Sequence, residues 1–370
     1  MSTSDASQAP SEFPDLQQRM AALIGAGDVS TLEAVLEELH PSDIADVLES
    51  LSDELRLALV RALPAELASE TLAEMEEGEI RAELLTALAP AEGAELLHEL
   101  SDDDAADLVG ELAPEAQDLI LAELPTDEAG DIRGLLQYDE DTAGGIMTTA
   151  LVSVPGHVTA GEAIEAVRVK GREVEHFYTV FVVDENTKLL GTVPLDDLIL
   201  SDTEHRIRDL IEPTVASVFP ESDQELVGQM IARYNLASIP VVSEDGVLLG
   251  RVTFDDVIDV IEAESTEDLL LFSGVSEAEE LRGSSLEAVR TRLPWLLLNT
   301  LTASLAAVVV WWFRSEIAAA TLLAVVMPVV AGLGGNAGQQ ALAVTVRRLA
   351  TSAGPLEARG RVVRKEILVG

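Results

Sequence analysis

Leucines recur about every twelve residues along the first third of the chain, and most of them precede a short amphipathic segment. Within two residues of Leu39, Leu88 and Leu100 comes a Pro or Ser, followed by acidic residues and then by apolar residues at helical spacing. Pro, Ser and acidic residues favour the first turn of a helix. The pattern therefore predicts short helices stacked as an all-α superhelical domain over residues 16–137, after a disordered tail at 1–15.

The middle third of the chain contains one pattern twice. The stretch Phe181–Ile199 recurs as Pro240–Ile258, and each copy has two apolar runs, a polar turn between them and a pair of Asp residues. Two such runs predict a β-hairpin, and the Asp pair predicts the start of a helix. A helical stretch precedes each copy, at Ala160–Val169 and Gln224–Tyr234. The chain is thus expected to form two α/β units of βαββα type, which span residues 138–200 and 201–263.

The last third contains two long stretches without charged residues. Leu293–Phe313 has 21 residues, and Ile317–Val346 follows after the short loop Arg314–Glu316. About 20 apolar residues suffice for a helix to cross a bilayer. We therefore expect a multidomain membrane protein, in which a linking helix at 264–292 leads to a partial α-helical transmembrane domain at 293–370, including the start of a third span.

Basic residues cluster outside the two apolar stretches, before the first and after the second. Such residues concentrate on the cytoplasmic side of a membrane. Both flanks are therefore expected in the cytoplasm, together with the acidic domains that precede them. The sequence predicts a multi-pass protein of the plasma membrane, in contact with the lipid bilayer.

The second apolar stretch contains a polar, glycine-rich segment. Gly334 and Gly335 precede Asn336, and we expect the helix to break there. Broken backbone at membrane depth is tolerated only where it lines a cavity or packs on protein. The segment therefore predicts pore-lining residues, although close helix packing at the glycines is the alternative.

Composition excludes several classes of function. The chain has 67 acidic and 23 basic residues and a formal net charge of −44, which argues against a nucleic-acid partner. It has no cysteine, and its five histidines are scattered, so a zinc site of the usual kind is not expected. No nucleophile–base arrangement is recognisable, and we predict that the protein is not an enzyme.

Carboxylates are concentrated at the end of the second repeat. On a helix, Asp256 and Asp259 share a face, as do Glu264, Glu267 and Asp268. Close pairs of like charges repel by about 1 kcal/mol in water, and Mg²⁺, a hard cation, prefers oxygen ligands. The cluster is therefore a candidate cation site, with a solvent-facing acidic helix as the alternative.

The duplicated unit resembles a pair of cystathionine-β-synthase-type (CBS) domains, which are regulatory modules that often bind adenosine compounds. Thr253 and Asp256 stand in a T-x-x-D step that resembles the ribose-contacting motif of such domains. The resemblance implies ATP or another adenine nucleotide as a ligand, bound at these two residues.

The order of the parts resembles the MgtE family of magnesium channels. The phrases that carry the resemblance are Tyr138–Met147, Val252–Asp268 and Gly334–Gln340. It implies a homodimer that imports Mg²⁺ and is gated by cytosolic Mg²⁺, so that the ion is both substrate and regulator. Family members have five transmembrane helices, and we expect this chain to be a fragment without the last three and their pore carboxylate.

The resemblance also implies a set of metal-binding residues around the CBS pair. They are Asp256, Asp259, Glu264, Glu267, Asp268, Asp223, Glu225, Glu70, Asp103 and Asp107. One departure concerns Asn235, which stands where a family member can have Asp and whose amide oxygen binds Mg²⁺ more weakly.

Two other functions remain open at this point. A membrane-tethered regulator could bind nucleotide through the CBS pair without conducting ions. A transporter could instead carry another divalent cation, such as Co²⁺ or Mn²⁺, although the absence of soft ligands argues against copper and zinc.

Overall fold

The computed structural model describes residues 13–26, 29–36, 39–76, 78–171, 174, 177–214, 216–273 and 285–351. The chain divides into two compact units, Met1–Ile258 and Asp259–Gly370, which are described separately. The predicted tail, residues 1–15, lies almost entirely outside the described residues.

The first unit begins with a helical domain of short α-helices. Their bounds are α1 Phe13–Ala26, α2 Val29–Leu36, α3 Pro41–Ser50, α4 Asp53–Val60, α5 Ala65–Ala73, α6 Glu79–Ala87, α7 Pro90–His98, α8 Asp102–Gly110, α9 Pro114–Leu121 and α10 Glu128–Leu135. Helices two apart in sequence pack together, as in α3 with α5, α5 with α7 and α8 with α10. This serial packing is the superhelical stacking expected from the leucine repeat.

Local sequence explains where these helices begin. Pro41, Pro90 and Pro114 occupy the first turns of α3, α7 and α9, where the missing N–H costs nothing because those donors have no partner inside the helix. The hydroxyl of Ser101 accepts a hydrogen bond from Asp104 N and so caps α8. Leucines of the twelve-residue repeat are buried, among them Leu51, Leu63, Leu88, Leu112 and Leu124.

Two α/β repeats follow. The first repeat contains β1 Ser153–Pro155, α11 Ala160–Lys170, β2 Thr179–Val183, β3 Leu189–Pro194, α12 Leu195–Leu200 and α13 Ile207–Leu210; the second contains α14 Gln224–Tyr234, β4 Ser238–Val242, β5 Leu248–Thr253 and the start of α15 Phe254–Ser273. In the first sheet β2 lies between β1, which is parallel to it, and β3, which is antiparallel. In the second, β4 pairs antiparallel with β5. The two antiparallel hairpins, β2–β3 and β4–β5, confirm the hairpins predicted from the duplicated sequence.

The hydrophobic cores join the helical domain to the second repeat. One cluster of buried residues contains the helical-domain leucines, Met147 of the connecting segment, and Val227, Ile239 and Val252 of the second repeat. The first repeat has its own core, which includes Val154, Val182 and Val193. The helical domain therefore packs against the second repeat in the structure described here.

The second unit contains long apolar helices. After α15 come α16 Ser285–Trp312, α17 Arg314–Ala319 and α18 Thr321–Thr351. Arg292–Trp312 and Leu322–Thr345 are long and apolar enough to cross a membrane, with mean hydropathy 1.8 and 1.4. Of the predicted linking helix, 264–273 forms the end of α15 and 285–292 the start of α16, and 274–284 lies outside the described residues.

The predicted helix break at Gly334–Asn336 is wrong. Helix α18 runs without interruption through Pro328, Gly334, Gly335 and Asn336. A glycine costs a helix only about 1 kcal/mol relative to alanine, whereas an unsatisfied backbone group costs several in an apolar environment. Continuous hydrogen bonding therefore outweighs the glycine penalty along this segment.

Candidate functional site

The first turn of α8 carries three consecutive carboxylates. Asp102, Asp103 and Asp104 follow the cap residue Ser101, and the positive end of the helix dipole favours acidic side chains at this position. The Ser101 hydroxyl also donates to Asp104 Oδ2 over 2.8 Å. Asp102 and Asp103 are half-buried, and Asp104 is exposed.

Asp102 fastens α8 to the segment that leads into the first repeat. Its Oδ1 accepts a hydrogen bond of 2.5 Å from the Thr148 hydroxyl, and its Oδ2 accepts one of 3.0 Å from Thr149 N. The Thr149 hydroxyl also donates to Oδ2. A single carboxylate thus joins the helical domain to this segment, and we call the resulting arrangement the docked arrangement.

The same segment pairs with strand β5. Thr148 N donates to Arg251 O over 2.9 Å, and Arg251 N donates to Thr148 O over 3.0 Å. Gly250 permits this approach, because a Cβ atom there would lie 2.7 Å from the Thr148 carbonyl oxygen. The stretch Thr148–Thr149 is therefore hydrogen-bonded both to Asp102 of α8 and to Arg251 of β5.

The first turn of α15 supplies two more carboxylates. Asp255 and Asp256 directly follow β5. Asp256 Oδ2 accepts hydrogen bonds from the Thr253 hydroxyl and, over 3.3 Å, from Thr253 N. Thr253, the last residue of β5, is buried. Asp256, the third residue of α15, thus bonds back to the residue before the helix, as in a capping box.

Arg251 lies among these carboxylates. Its side chain is buried, with 4 % of the residue exposed, and Nε donates to Ala150 O over 2.9 Å. Burial lowers its pKa, and the charges of Asp103, Asp255 and Asp256 oppose that shift. We call Arg251 with the five first-turn aspartates of α8 and α15 the acidic junction.

The junction holds carboxylates that are costly to ionise. Burial raises the pKa of Asp103 well above its usual range, and the neighbouring charges of Asp104 and Asp256 raise it further. Burial also raises the pKa of Asp256 to about 6, although the hydrogen bond from the Thr253 hydroxyl opposes the shift. The Oδ1 atom of Asp103 is buried and accepts no hydrogen bond within the described part of the chain.

These residues fit a hydrated divalent cation. An orphaned buried carboxylate oxygen beside further carboxylates is a favourable environment for positive charge. Among the described residues, no three acidic or histidine side chains converge closely enough to form a ready coordination shell. Mg²⁺ often keeps several waters and uses only one or two carboxylates, and the junction suits that mode of binding.

The structure brings Asp103 and Asp256 together, and the other predicted metal-binding residues lie elsewhere. Asp107 is exposed on α8, Glu70 is exposed on α5, and Asp259 and Glu264 lie further along α15. Glu267 and Asp268 also belong to α15, with side chains outside the described residues.

Asp223 and Glu225 belong to the start of α14. The Asp223 carboxylate accepts a hydrogen bond of 2.9 Å from Glu225 N and caps the helix, and Glu225 Oε1 accepts one of 3.0 Å from Gln229. Asn235 ends α14 in the left-handed conformation, with φ of 52°, which Asn tolerates better than most residues. These residues therefore have structural roles in the helix ends.

Sequence reasoning missed Arg251 and Asp102. Arg251 is the one charged residue of β5, in a position where the first repeat has Thr192, and that difference between the copies was the available signal. Asp102 carried no distinguishing signal, because acidic residues open most helices of the repeat.

Comparison with known proteins agrees with this architecture. The family model described as "MgtE intracellular N domain" matches residues 39–141, and the CBS domain model matches 143–203 and 207–263. "Magnesium transporter MgtE" of Thermus thermophilus is 37% identical over 350 residues, which are 93% of this chain and 77% of the relative. The protein of the same name from Bacillus subtilis is 31% identical over 91% of this chain and 74% of the relative.

Solved structures show the same arrangement of domains. The crystal structure of the soluble part of a magnesium transporter has a TM-score of 0.62 and 31% identity, and covers 69% of this chain and 100% of that one. The cytosolic domain of the Mg²⁺ channel MgtE in complex with ATP has a TM-score of 0.63 and 35% identity, over 66% of this chain and 99% of that one. On these matches, the chain belongs to the MgtE family of magnesium transporters.

Proposed function

We propose that this protein transports Mg²⁺ across the plasma membrane and that its acidic junction senses cytosolic Mg²⁺. The observation that carries the proposal is that first-turn carboxylates of α8 and α15 lie near each other, while the buried Asp103 Oδ1 has no hydrogen bond among the described residues. The names of the family relatives, which are magnesium transporters, supply the identity of the ion.

Charge balance explains how the junction would act as a sensor. The charges of four junction carboxylates, those of Asp102, Asp103, Asp255 and Asp256, act on one guanidinium, so docking brings an excess of negative charge together. Bound Mg²⁺ supplies the missing positive charge. Asp102 holds α8 against Thr148 and Thr149, so relief of the repulsion strengthens that attachment. High cytosolic Mg²⁺ thus favours the docked arrangement, and low Mg²⁺ favours separation of the helical domain.

Helix α15 would carry this change towards the apolar helices. It starts at Phe254, beside the junction, and continues to Ser273. Asp259, Glu264, Glu267 and Asp268 extend the row of carboxylates along it, and we propose that they bind further Mg²⁺. The remaining predicted metal-binding residues are weaker candidates. Glu70 and Asp107 are exposed, and the carboxylates of Asp223 and Glu225 already accept hydrogen bonds within α14.

The membrane part is proposed from two apolar helices and their flanking charges. Arg292–Trp312 and Leu322–Thr345 would span the bilayer with both outer flanks, and hence the N-terminal domains, in the cytoplasm. Gly334, Gly335 and Asn336 would face the ion pathway of a homodimer from an intact helix, where the two glycines leave the backbone accessible.

The second repeat is also proposed to bind an adenine nucleotide. The solved relative in complex with ATP supports this ligand class. In this chain the Thr253 hydroxyl donates to Asp256, so a ribose hydroxyl would compete for the same carboxylate. Nucleotide and metal would then meet at Asp256, which links the two ligands.

Transport is tested with the full-length protein in liposomes that contain a Mg²⁺-sensitive dye. We expect Mg²⁺ influx that depends on the protein, and weaker influx of Co²⁺ and Mn²⁺. Protein-free liposomes are the control. ATP binding without any ion flux would contradict the proposal and favour a membrane-tethered nucleotide regulator.

A further inference from the structure

The acidic junction already contains a cation of its own. Arg251 projects from β5, a strand that is otherwise apolar except for its final Thr253, and the residue is 4 % exposed. An arginine is almost never buried this far unless its charge is compensated. The charges that act on this guanidinium come from two different parts of the fold, from Asp102 and Asp103 of α8 and from Asp255 and Asp256 of α15.

Arg251 is also held in place independently of those carboxylates. Its backbone lies opposite Pro240 of strand β4 on one side and is hydrogen-bonded to Thr148 on the other. Its Nε donates to Ala150 O over 2.9 Å. The guanidinium therefore sits at a fixed position, and α8 with Asp102 and Asp103 is the element that approaches it on docking.

Resting on the proposed function, we infer that Arg251 is a built-in counter-cation that stabilises the docked arrangement in the absence of Mg²⁺. It neutralises part of the charge that docking brings together, and Mg²⁺ is needed only for the remainder. Arg251 thereby sets how much metal the sensor requires. Without its charge, docking depends on divalent cations entirely.

Two substitutions of Arg251 separate the effect of its charge from the effect of its packing. Arg251→Gln removes the charge and keeps an N–H donor for Ala150 O, whereas Arg251→Lys keeps a positive charge in the same place. Arg168→Gln is the matched control, because Arg168 is an exposed arginine on α11 paired with Glu165 and its loss changes the net charge equally.

Docking is measured in the full-length protein by the distance between two spin labels. The chain has no cysteine, so Glu115→Cys in the helical domain and Asp196→Cys in the first repeat, both exposed, are the two labelled positions of each protomer. The distance distribution is recorded with EDTA and with saturating Mg²⁺.

With EDTA we expect the wild type, Arg251→Lys and Arg168→Gln to keep a docked population. In Arg251→Gln the docked-to-undocked ratio should fall at least about tenfold, because loss of one partner leaves buried charges uncompensated. Saturating Mg²⁺ should restore docking in this variant, which a misfolded protein would not show.

Equal docking of Arg251→Gln and wild type in EDTA would overturn the inference, as would a wild type with no docked population in EDTA. The distance measured with saturating Mg²⁺ tests the proposed function separately. If Mg²⁺ changes the distance in no variant, the sensing role fails, while the comparison in EDTA still decides the role of Arg251.

Discussion

Thr148 and Arg251 exchange two backbone hydrogen bonds, 2.9 Å and 3.0 Å long, and so place the acidic end of α8 beside a buried guanidinium. The pairing joins the segment that leaves the helical domain to the last strand of the second repeat. The helical domain is thereby positioned by backbone geometry, and the side-chain charges decide how firmly it stays there.

The Gly250 position tests this pairing. A Cβ atom there would lie 2.7 Å from the Thr148 carbonyl oxygen and 3.0 Å from Met147 Sδ, so Gly250→Ala should push Thr148 away from β5. We expect faster hydrogen exchange at the amides of Thr148 and Arg251. Gly130→Ala is the control, because no atom lies within 4 Å of the added group and alanine favours a helix. Unchanged exchange in Gly250→Ala would contradict the proposed close approach.

Asp102 should contribute more to docking than its exposed neighbours. It accepts hydrogen bonds from Thr148 and from both the amide and the hydroxyl of Thr149. Asp102→Ala removes all of them, and a hydrogen bond to a charged group makes a net contribution of about 1.5–3 kcal/mol. We expect the labelled helical domain to undock even at saturating Mg²⁺. Asp118→Ala, at an exposed site on α9, should leave docking unchanged, and equal behaviour of the two variants would refute this role.

A buried ion pair should stabilise the helical domain without affecting Mg²⁺ sensing. Arg81 Nε and one of its terminal nitrogens contact the two oxygens of Glu111 at 3.0 and 2.7 Å, and Glu111 also accepts from Gly78 N. Glu111→Gln removes the carboxylate charge that compensates the buried guanidinium, and breaking a buried ion pair typically costs about 3–5 kcal/mol. Thermal unfolding should shift to lower temperature, with Glu115→Gln as control. An unchanged unfolding temperature, together with a changed Mg²⁺ concentration at half-maximal docking, would contradict this expectation.

Protons should partly replace Mg²⁺ at the junction. Burial raises the pKa of Asp256 to about 6, whereas the pKa of an aspartate in solvent is about 4. Between these values the docked state binds more protons than the undocked state, so docking becomes more stable as pH falls through 6. In EDTA, the docked population should therefore rise between pH 7.5 and 5.5, and Asp256→Asn should weaken that rise. A fall in docking at pH 5.5 would contradict the sign.

Much of the fold followed from the sequence because its causes are local. Pro41, Pro90 and the cap residue Ser101 mark helix starts, and the duplicated hairpins mark the repeats. The acidic junction depends instead on long-range packing: each helix of the first domain offers similar acids, and the contacts of Thr148 and Thr149 with Asp102 select α8. The wrong helix break at Gly334 has another origin, since the cost of glycine is small beside that of unsatisfied backbone groups.

The central claim, that carboxylates of α8 and α15 sense cytosolic Mg²⁺, is tested most directly by Mg²⁺ flux as a function of Mg²⁺ on the cytosolic side. Asp103→Asn with Asp256→Asn replaces two junction carboxylates, and Asp118→Asn with Glu115→Gln replaces two exposed ones as a control. We predict that Mg²⁺ flux through the wild type and the control falls as cytosolic Mg²⁺ rises, whereas flux through the junction variant no longer depends on cytosolic Mg²⁺. Normal closure of a well-folded junction variant would contradict the account.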